Sequence, residues 1–466
     1  MCGIVGIVLE SPPSSRATAV SIYYALYALQ HRGQESAGMA LSHEGQIKLH
    51  KRMGLVPEVF NDDVLKSLEG KIGIGHVRYS TTGGSRIENA QPFSINYKEG
   101  AIAIAHNGNL VNSAFLREQL QKEGRMFLSD SDTEVIAHLL VKELMKSDLI
   151  GAIKELMRML VGSYSLTILT DGKMVAVRGP LGIKPLCLGK LDGGYIVASE
   201  SVAVDTLGGR FVRDVKPGEV LIFDGNGMKS HRIYRPTNTA HCVFEYIYFA
   251  RPDSILDGML VYDARRQVGA TLAEEYAVKA DIISPVPDSG ITLAIGYARR
   301  SGIQYSETLM KNRYIGRTFI MPGQNMRDVS VKLKLNVIAP NVKDRKIVIV
   351  DDSIVRGTTS RRIIDSLRAK GAKEVHVRIG SPPIMSPCYL GIDMKTRDEL
   401  IASHNTVEDT RKSINADSLG YVSIAGLTKS IGLSEKNLCV GCLTGVYPVE
   451  IPGENCVVRQ LKLTQF

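Results

Sequence analysis

The 466-residue sequence predicts an α+β unit followed by an α/β unit built on a parallel sheet. Three observations carry that expectation. Residues 345–379 read as strand, helix and returning strand, the repeating unit of a parallel sheet. The first half instead mixes short apolar runs with helical stretches, punctuated by the turn sequences DGK, DGG and DGNG. Between the halves lies a polar, proline-containing join, YRPTNTAHC, which sets the expected units at 2–232 and 233–466.

In chain order, Gly3–Leu9 reads as a strand, 17–30 as a helix rich in Ala, Leu and Tyr, and 72–76 and 101–105 as strands. Helices follow over Ser113–Lys122 and 132–146. Strands over 165–170, 175–178, 195–199 and 220–224 complete the first half. In the second half, ADIISPVPDSGITLAIGYARR reads as a strand over 281–286, a turn and a helix.

The stretch RKIVIVDDSIVRGTTS, residues 345–360, is the most informative. Four β-favouring apolar residues, 347–350, suit a parallel strand covered on both faces. Asp351 and Asp352 end it, a turn follows, and Thr358, Thr359 and Ser360 open a helix. Ile363, Ile364 and Leu367 keep helical spacing to a C-terminal Gly371. Open α/β sheets bind ligands at such strand ends. Gly357 lets a backbone approach a ligand, and the helix start offers N–H groups to an anion, so a phosphate fits. Two carboxylates beside a phosphate need a partner: ribose hydroxyls, Mg²⁺ or a sugar carbon becoming cationic. A helix N-cap with a favourable dipole would account for one aspartate and fits the whole run poorly.

This run is similar to the phosphoribosyl pyrophosphate (PRPP) motif of type I phosphoribosyltransferases. The resemblance implies that the acids hold ribose and the loop holds the 5′-phosphate. It assigns Asp351, Asp352, Ser353, Arg356, Gly357, Thr358, Thr359 and Ser360 to PRPP. It also places Asp288 and Ser289 at the pyrophosphate, with Mg²⁺ at Ser289, Asp351 and Asp352.

The basic segment KNRYIGRTFIMP carries Lys311, Arg313 and Arg317 with Tyr314 and Phe319 between them. It could close over a departing pyrophosphate and exclude water, or form a basic, aromatic nucleic-acid patch. The resemblance makes it the loop that covers PRPP, through Lys311, Tyr314 and Arg317.

Composition bounds the class. Net charge is +9 with cations spread along the chain, which suits a polyanionic small substrate as well as nucleic acid. No apolar run is long enough for a membrane span and no signal-type N-terminus is present, so the expectation is a cytosolic protein. Seven cysteines in that compartment point to metal binding or catalysis rather than disulfides.

The chain opens MCGIVGIVLE. If Met1 is removed, Cys2 carries a thiol nucleophile and an α-amine that titrates at roughly pH 8, able to act as its base. The alternative is a small buried cysteine at a strand start. LQHRGQESAGMAL, GIGHVRYSTTG, IAHNGNLVN and SDSDTEVIAHLL follow. With Cys2 they resemble the N-terminal-nucleophile glutaminase domain of glutamine amidotransferases, over residues 2 to about 230. The resemblance implies an αββα sandwich, an oxyanion hole from Asn107 and Gly108, Arg78 on the glutamine carboxylate and Asp132 on its ammonium. Taken singly, Asn107-Gly108 also reads as a hairpin turn, Asp132 as a helix cap and Arg78 as a surface charge. His31, His43, His50 and His76 show no metal spacing and read as structural, and Cys187 reads as a core thiol.

Cys242, Cys388, Cys439 and Cys442 form a further constellation, with CVGC as its local pair. Such a pair serves zinc, redox chemistry or an iron–sulfur cluster, and by pattern alone zinc is commonest. The contexts HCVFEY, SPCYLGIDM and NLCVGC resemble those of amidophosphoribosyltransferases that carry a [4Fe–4S] cluster, and EYIYFARPDS resembles the start of their phosphoribosyltransferase part. In those cluster-bearing relatives a propeptide often precedes the catalytic cysteine, whereas here Met1 precedes Cys2, so removal of one methionine would suffice. The region from 389 to 426 resembles that family's C-terminal helical part.

Membership of the amidophosphoribosyltransferases implies transfer of glutamine-derived ammonia to C1 of PRPP, giving 5-phosphoribosylamine, glutamate and pyrophosphate in the first step of purine synthesis. It further implies purine nucleotides as feedback inhibitors and a homo-oligomer, a tetramer, with no nucleic-acid or membrane partner. A sugar-phosphate aminotransferase would have no use for IVIVDDSIVRGTTS. A non-enzymatic regulator reusing a phosphoribosyltransferase fold is the remaining alternative, and it would have no need of the glutaminase residues.

Overall fold

The computed structural model describes residues 1–80, 83–170, 172–312, 335–394, 396–454, 457–458 and 463–465, without the side chains of the last five. Arg313, Tyr314, Arg317 and Cys456 lie outside the described residues.

Among the described residues, thirteen strands build the first half: β1 (Gly3–Leu9), β2 (Ser36–His43), β3 (Gln46–Met53), β4 (Ile72–Arg78), β5 (Phe93–Tyr97), β6 (Gly100–Leu110), β7 (Gly162–Thr170), β8 (Lys173–Arg178), β9 (Cys187–Leu191), β10 (Gly194–Ala198), β11 (Arg210–Asp214), β12 (Glu219–Asp224) and β13 (Gly227–Arg232). They form two antiparallel sheets, β11-β9-β10-β1-β4-β2-β3 and β13-β12-β8-β7-β6-β5. Ile4, Val8, Ile74, Ala103, Leu169 and Leu221 fill the space between the sheets. The alternate residues Val5 and Ile7 point outward, under helix α1 (Ala17–Ala28). Helices α2 (Ser113–Lys122), α3 (Asp132–Leu144) and α4 (Leu149–Met159) cover the other sheet. The layers are therefore αββα. Strands buried on both faces lose the apolar–polar alternation that marks a one-sided sheet. Gly75 is needed on β4 because a Cβ there would meet Ile22 Cγ2 at 2.6 Å.

The second half is α/β. Strands β14 (Ile282–Pro285), β15 (Gln304–Tyr305), β16 (Lys346–Asp351), β17 (Glu374–Ile379) and β18 (Ser418–Tyr421) form a parallel sheet in the order β15-β14-β16-β17-β18. Helices α5 (Val261–Glu275) and α6 (Gly290–Ser301) cover one face and α7 (Thr358–Ala369) the other. Alternate residues of β16 serve both cores: Val348 and Val350 face α5 and α6, Ile347 and Ile349 face α7. Gly269 and Gly296 bring α5 and α6 close, since a Cβ on Gly269 would meet Leu293 O at 1.9 Å. The 389–426 region is not wholly helical, as its family likeness implied. Ser418–Tyr421 joins the sheet beside β17, with Leu419 and Tyr421 in the core under α7, and α8 (Ile424–Ile431) packs on α5.

Two buried polar clusters tie the halves together. In the first, Arg32 donates from Nη1 to Glu200 at 2.5 Å and from Nη2 to Glu245 at 2.7 Å, all three side chains being buried. Glu200 also accepts from Arg251 N at 2.9 Å and Ser254 Oγ at 2.7 Å. In the second, Arg178 forks onto Asp257 at 2.7 and 2.9 Å, and His241 Nδ1 lies 2.9 Å from the same carboxylate. Arg178 and His241 hold Asp257 ionised despite its burial. Asp214, which accepts from Gly258 N at 3.1 Å, has no such cation to itself. Burial and then the charge of Asp257 push its carboxyl up to about 6.

A carboxyl that binds its proton more tightly in the folded chain than in the unfolded one costs stability as pH rises. The loss begins above the ordinary value of 3.8 and is complete above about 6. Asp214→Asn should therefore stabilise the protein at pH 7 by about 2 kcal/mol and leave it unchanged at pH 4. Chemical denaturation of both proteins at the two pH values measures this, and an equal change at both would contradict the assignment.

Candidate active sites

The ends of β1, β4 and β6 converge on Cys2. Its backbone N–H donates to Asn107 Oδ1 at 3.2 Å, and its Sγ lies 3.6 Å from Tyr79 O, just past the end of β4. Arg32 Nε donates to Cys2 O at 2.9 Å. Asn107 Nδ2 is buried and has no hydrogen-bond partner among the described residues. A buried donor left unpaired costs free energy unless something arrives to accept from it. Asn107 and Gly108 sit within β6, paired with Ser165 and Tyr164 of β7, so the hairpin-turn alternative is ruled out. Position 108 must be glycine, since a Cβ would meet Ser163 O at 2.0 Å.

Asp132 is the first residue of α3, whose N-cap is Ser131, so the capping alternative is also ruled out. Its carboxylate accepts from Leu110 N at 3.0 Å and lies 3.5 Å from His106 Nδ1. Against its burial, His106 and the Leu110 and Thr133 N–H groups hold Asp132 below the usual carboxylate range. Arg78 is buried rather than a surface charge. Its guanidinium donates to Glu35 at 2.9 Å and Gly84 O at 3.1 Å, while Glu35 also accepts from Ser80 N at 2.8 Å. A ligand carboxylate at Arg78 would therefore meet Glu35 there. Cys2, Asn107, Gly108, Asp132 and Arg78 thus share one end of the sandwich.

The second constellation lies at the carboxyl ends of β14 and β16. Asp351 accepts from the backbone N of Asp352 at 2.9 Å, and Ser353 Oγ donates to Asp352 at 2.6 Å. Burial and then the neighbouring Asp352 push the Asp351 carboxyl well above its ordinary value. Such a pair calls for a cation or for hydroxyl donors. Ser289 caps α6 beside it: a Cβ on the next residue, Gly290, would meet Val350 O at 2.3 Å and Asp351 Cα at 3.5 Å. Lys311, ending the strand Leu309–Lys311, forms an ion pair with Asp288. Gly357 caps α7 with φ +75°, a conformation that favours glycine, and packs on Ile401. Thr358 and Thr359 are exposed at that helix start, with Ser360 half-buried behind them. Arg356 points away from the acids, to Glu399 at 2.6 Å.

The four cysteines also gather. Cys242 stands opposite Cys439 in a two-stranded parallel pair, His241–Cys242 with Leu438–Cys439. Cys442 lies in the turn of helix that follows, Gly441–Thr444, and all four lie in or against the largest apolar core of the second half. Burial pushes the Cys242 thiol up to about 12 and the Cys442 thiol well above its ordinary value. Cys388, Cys439 and Cys242 all lie within electrostatic reach of Cys442 and act in the same direction. Among the described residues, no group of three or more His, Cys, Asp or Glu side chains is arranged to hold one metal ion.

Several residues of both sites carry no single-residue signal in the sequence. Arg32 lies inside a quoted motif, but its burial and its three partners come from tertiary structure. His106 and Tyr79 are visible only as neighbours of Asn107 and Arg78. Arg265 of α5, buried, donates to Tyr246 O at 2.7 Å and Ala250 O at 2.8 Å. Burial draws its guanidinium down to about 10, against the pull of Asp352.

Residues 76–206 match the glutamine amidotransferase domain, and 252–379 match the phosphoribosyl transferase domain. The amidophosphoribosyltransferase of Archaeoglobus fulgidus is 55% identical over 98% of this chain and 100% of its own length. That of Bacillus subtilis is 47% identical over 97% of this chain and 94% of its own. A solved structure of the B. subtilis glutamine PRPP amidotransferase, complexed with ADP and GMP, superposes with a TM-score of 0.90 at 46% identity, covering 98% of this chain and 99% of that one. With a glutamine amidotransferase domain followed by a phosphoribosyl transferase domain, the chain belongs to the amidophosphoribosyltransferase family and transfers glutamine-derived ammonia to C1 of PRPP, the first step of purine biosynthesis.

Proposed function

We propose that Cys2, with its amine freed by loss of Met1, is the nucleophile of the unit 2–232, and that the acid pair Asp351–Asp352 organises PRPP in the unit 233–466. The observation that carries this reading is Asn107. Its Oδ1 already accepts from the Cys2 N–H, and its buried Nδ2 is left to donate to something else. An oxyanion formed when the thiol attacks the glutamine amide would accept from Nδ2 and from Gly108 N. Such donors contribute about 3 kcal/mol each in the transition state. The Cys2 amine takes the thiol proton and passes it to the departing ammonia. Water then resolves the thioester to glutamate. Arg78, released from Glu35, and Asp132 hold the amino acid end of the glutamine.

In the second unit, Asp351 and Asp352 accept from ribose hydroxyls. The N–H groups and hydroxyls at Gly357, Thr358, Thr359 and Ser360, with Ser353 and Arg356, hold the 5′-phosphate. Asp288, Ser289 and Lys311 face the pyrophosphate, with Tyr314 and Arg317 assigned there from the sequence alone. Ammonia attacks C1 with its lone pair as the C1–O bond to pyrophosphate breaks. Mg²⁺ at Ser289, Asp351 and Asp352 would offset the charge of the leaving group, and the proton-favouring pair of acids fits a cation there.

Four thiols drawn from three segments, Cys242 and Cys442 buried and Cys388 and Cys439 half-buried against the same apolar core, would hold a [4Fe–4S] cluster with one thiolate per iron. Its role is structural, closing the C-terminal segment onto the start of the second unit. The ADP and GMP of the B. subtilis complex support purine nucleotides as regulators of this chain too. A homotetramer acting in the cytoplasm completes the reading. No described helix is long and apolar enough to cross a membrane.

Cys2→Ser should abolish glutamine-dependent activity and preserve phosphoribosylamine formation from free ammonia. Loss of both in a folded variant would overturn the separation of the two sites. Asp352→Asn should lower both PRPP-dependent activities at least about a hundredfold while sparing basal glutamine hydrolysis. A normal PRPP affinity and rate would show that the acids are structural. Anaerobically purified protein should be brown and contain iron and inorganic sulfide, with oxygen removing colour and structure together. A colourless, fully active protein with one zinc per chain would exclude the cluster.

A further inference from the structure

Lys184 is completely buried, and no ion pair with a carboxylate joins it to any described residue. Its Nζ donates to the Met1 thioether at 2.8 Å. A thioether is a weak acceptor, and a buried cation without an anionic partner is costly. The position is specific. Lys184 Nζ and the carbonyl carbon of Gly108 lie 3.1 and 3.3 Å from the point that a Cβ on Gly391 would occupy. Glycine at 391 therefore lets the lysine nitrogen come up behind the oxyanion-forming residue, with only bare backbone between them.

We propose that Lys184 is a positioning residue for the glutaminase reaction, a positive charge behind Gly108 and beside the Cys2 amine that is uncovered when Met1 leaves. The inference rests on the reading of Cys2 as a nucleophile with a free amine. The other charges around Cys2 are already matched. Arg32, on the Cys2 carbonyl, is paired with Glu200 and Glu245, and Arg78 is paired with Glu35. Lys184 is the cation left over once its thioether partner is gone. In a dry site its field favours negative charge on the oxyanion and disfavours protonation of a neighbouring amine. Both effects favour attack by the thiol. The amine of Met1 in the unprocessed chain supports this: burial pushes it down to about 5, with Lys184 and Arg32 acting in the same direction and Glu245 and Cys2 against.

The test uses full-length protein shown by mass to lack Met1. Glutaminase kcat and KM are measured against pH in the presence of PRPP for wild type, Lys184→Met and Lys184→Arg. Lys184→Met should lower kcat about tenfold with KM for glutamine unchanged, and should move the acid limb of kcat/KM up by about one pH unit. Lys184→Arg should restore both. Ammonia-dependent phosphoribosylamine formation reports folding, and Lys184→Gln replaces the methionine variant if that one does not fold. A neutral variant with the wild-type pH profile and kcat would overturn the proposal. So would an arginine variant as impaired as the methionine one, which would mean that packing and not charge matters. Persistent glutaminase activity in Cys2→Ser would instead overturn the reading on which this rests.

Discussion

The joined architecture depends on the buried guanidinium of Arg32. It donates to the Cys2 carbonyl, to Glu200 within the glutaminase unit and to Glu245 across the boundary. Three charged side chains out of water are tolerable because nearly every donor and acceptor among them is used. His31 at 2.7 Å, Arg251 N and Ser254 Oγ take the remaining sites on Glu200. Against its burial, His31 and Arg32 hold Glu200 well below the usual carboxylate range, so the cluster keeps its charges. Removing one partner from such a set leaves a buried charge uncompensated, at about 3–5 kcal/mol. The residue that holds the Cys2 carbonyl is thus also the one that ties the two units to each other.

A polar path follows from that clamp. Glu245 opens the turn Glu245–Phe249, and the turn is held from below by Arg265 through the carbonyls of Tyr246 and Ala250. Arg265 in turn faces the field of Asp352 at the end of β16. Each active site sits at strand ends, where side chains are positioned by a ladder of backbone hydrogen bonds while their tips remain open. The glutaminase takes its groups from antiparallel strands, β1, β4 and β6. The candidate phosphoribosyl site takes its groups from the ends of parallel strands followed by helices.

The apolar core around the turn also holds Met1, Cys242 and Cys442, with Cys388 and Cys439 against it. Ile183 O accepts from Cys242 N at 3.3 Å, one residue before Lys184. The cysteine constellation and the N-terminus are therefore neighbours through a single segment, 181–184, although Cys2 and Cys442 stand at opposite ends of the chain.

The sequence alone determined the parallel β-α-β unit, the helix start at Gly357 and the glutamine amidotransferase domain. In these places, short-range patterns are dictated by chemistry: apolar strands, acids at their ends, glycine at a positive φ, and hydroxyls at a helix start. It placed α1, α2 and α3 within a few residues because their apolar spacing is regular. It left out β2, β3, β5, β9, β11 and β13, and it shortened β6. These strands are short, edge-like or buried on both faces, and period-2 alternation fails there. Singly, Asn107-Gly108 was indistinguishable from a turn and Arg78 from a surface charge, because local sequence does not encode what packs on top. Tertiary structure decided that Asn107 keeps one donor unpaired beside Cys2 and that Arg78 rests on Glu35. It also placed Arg32, Glu245, Arg265 and Lys184, which are far apart in the chain, behind the two sites. The physical reason is burial: a charge becomes functional when its neighbours exclude water, and those neighbours come from distant segments.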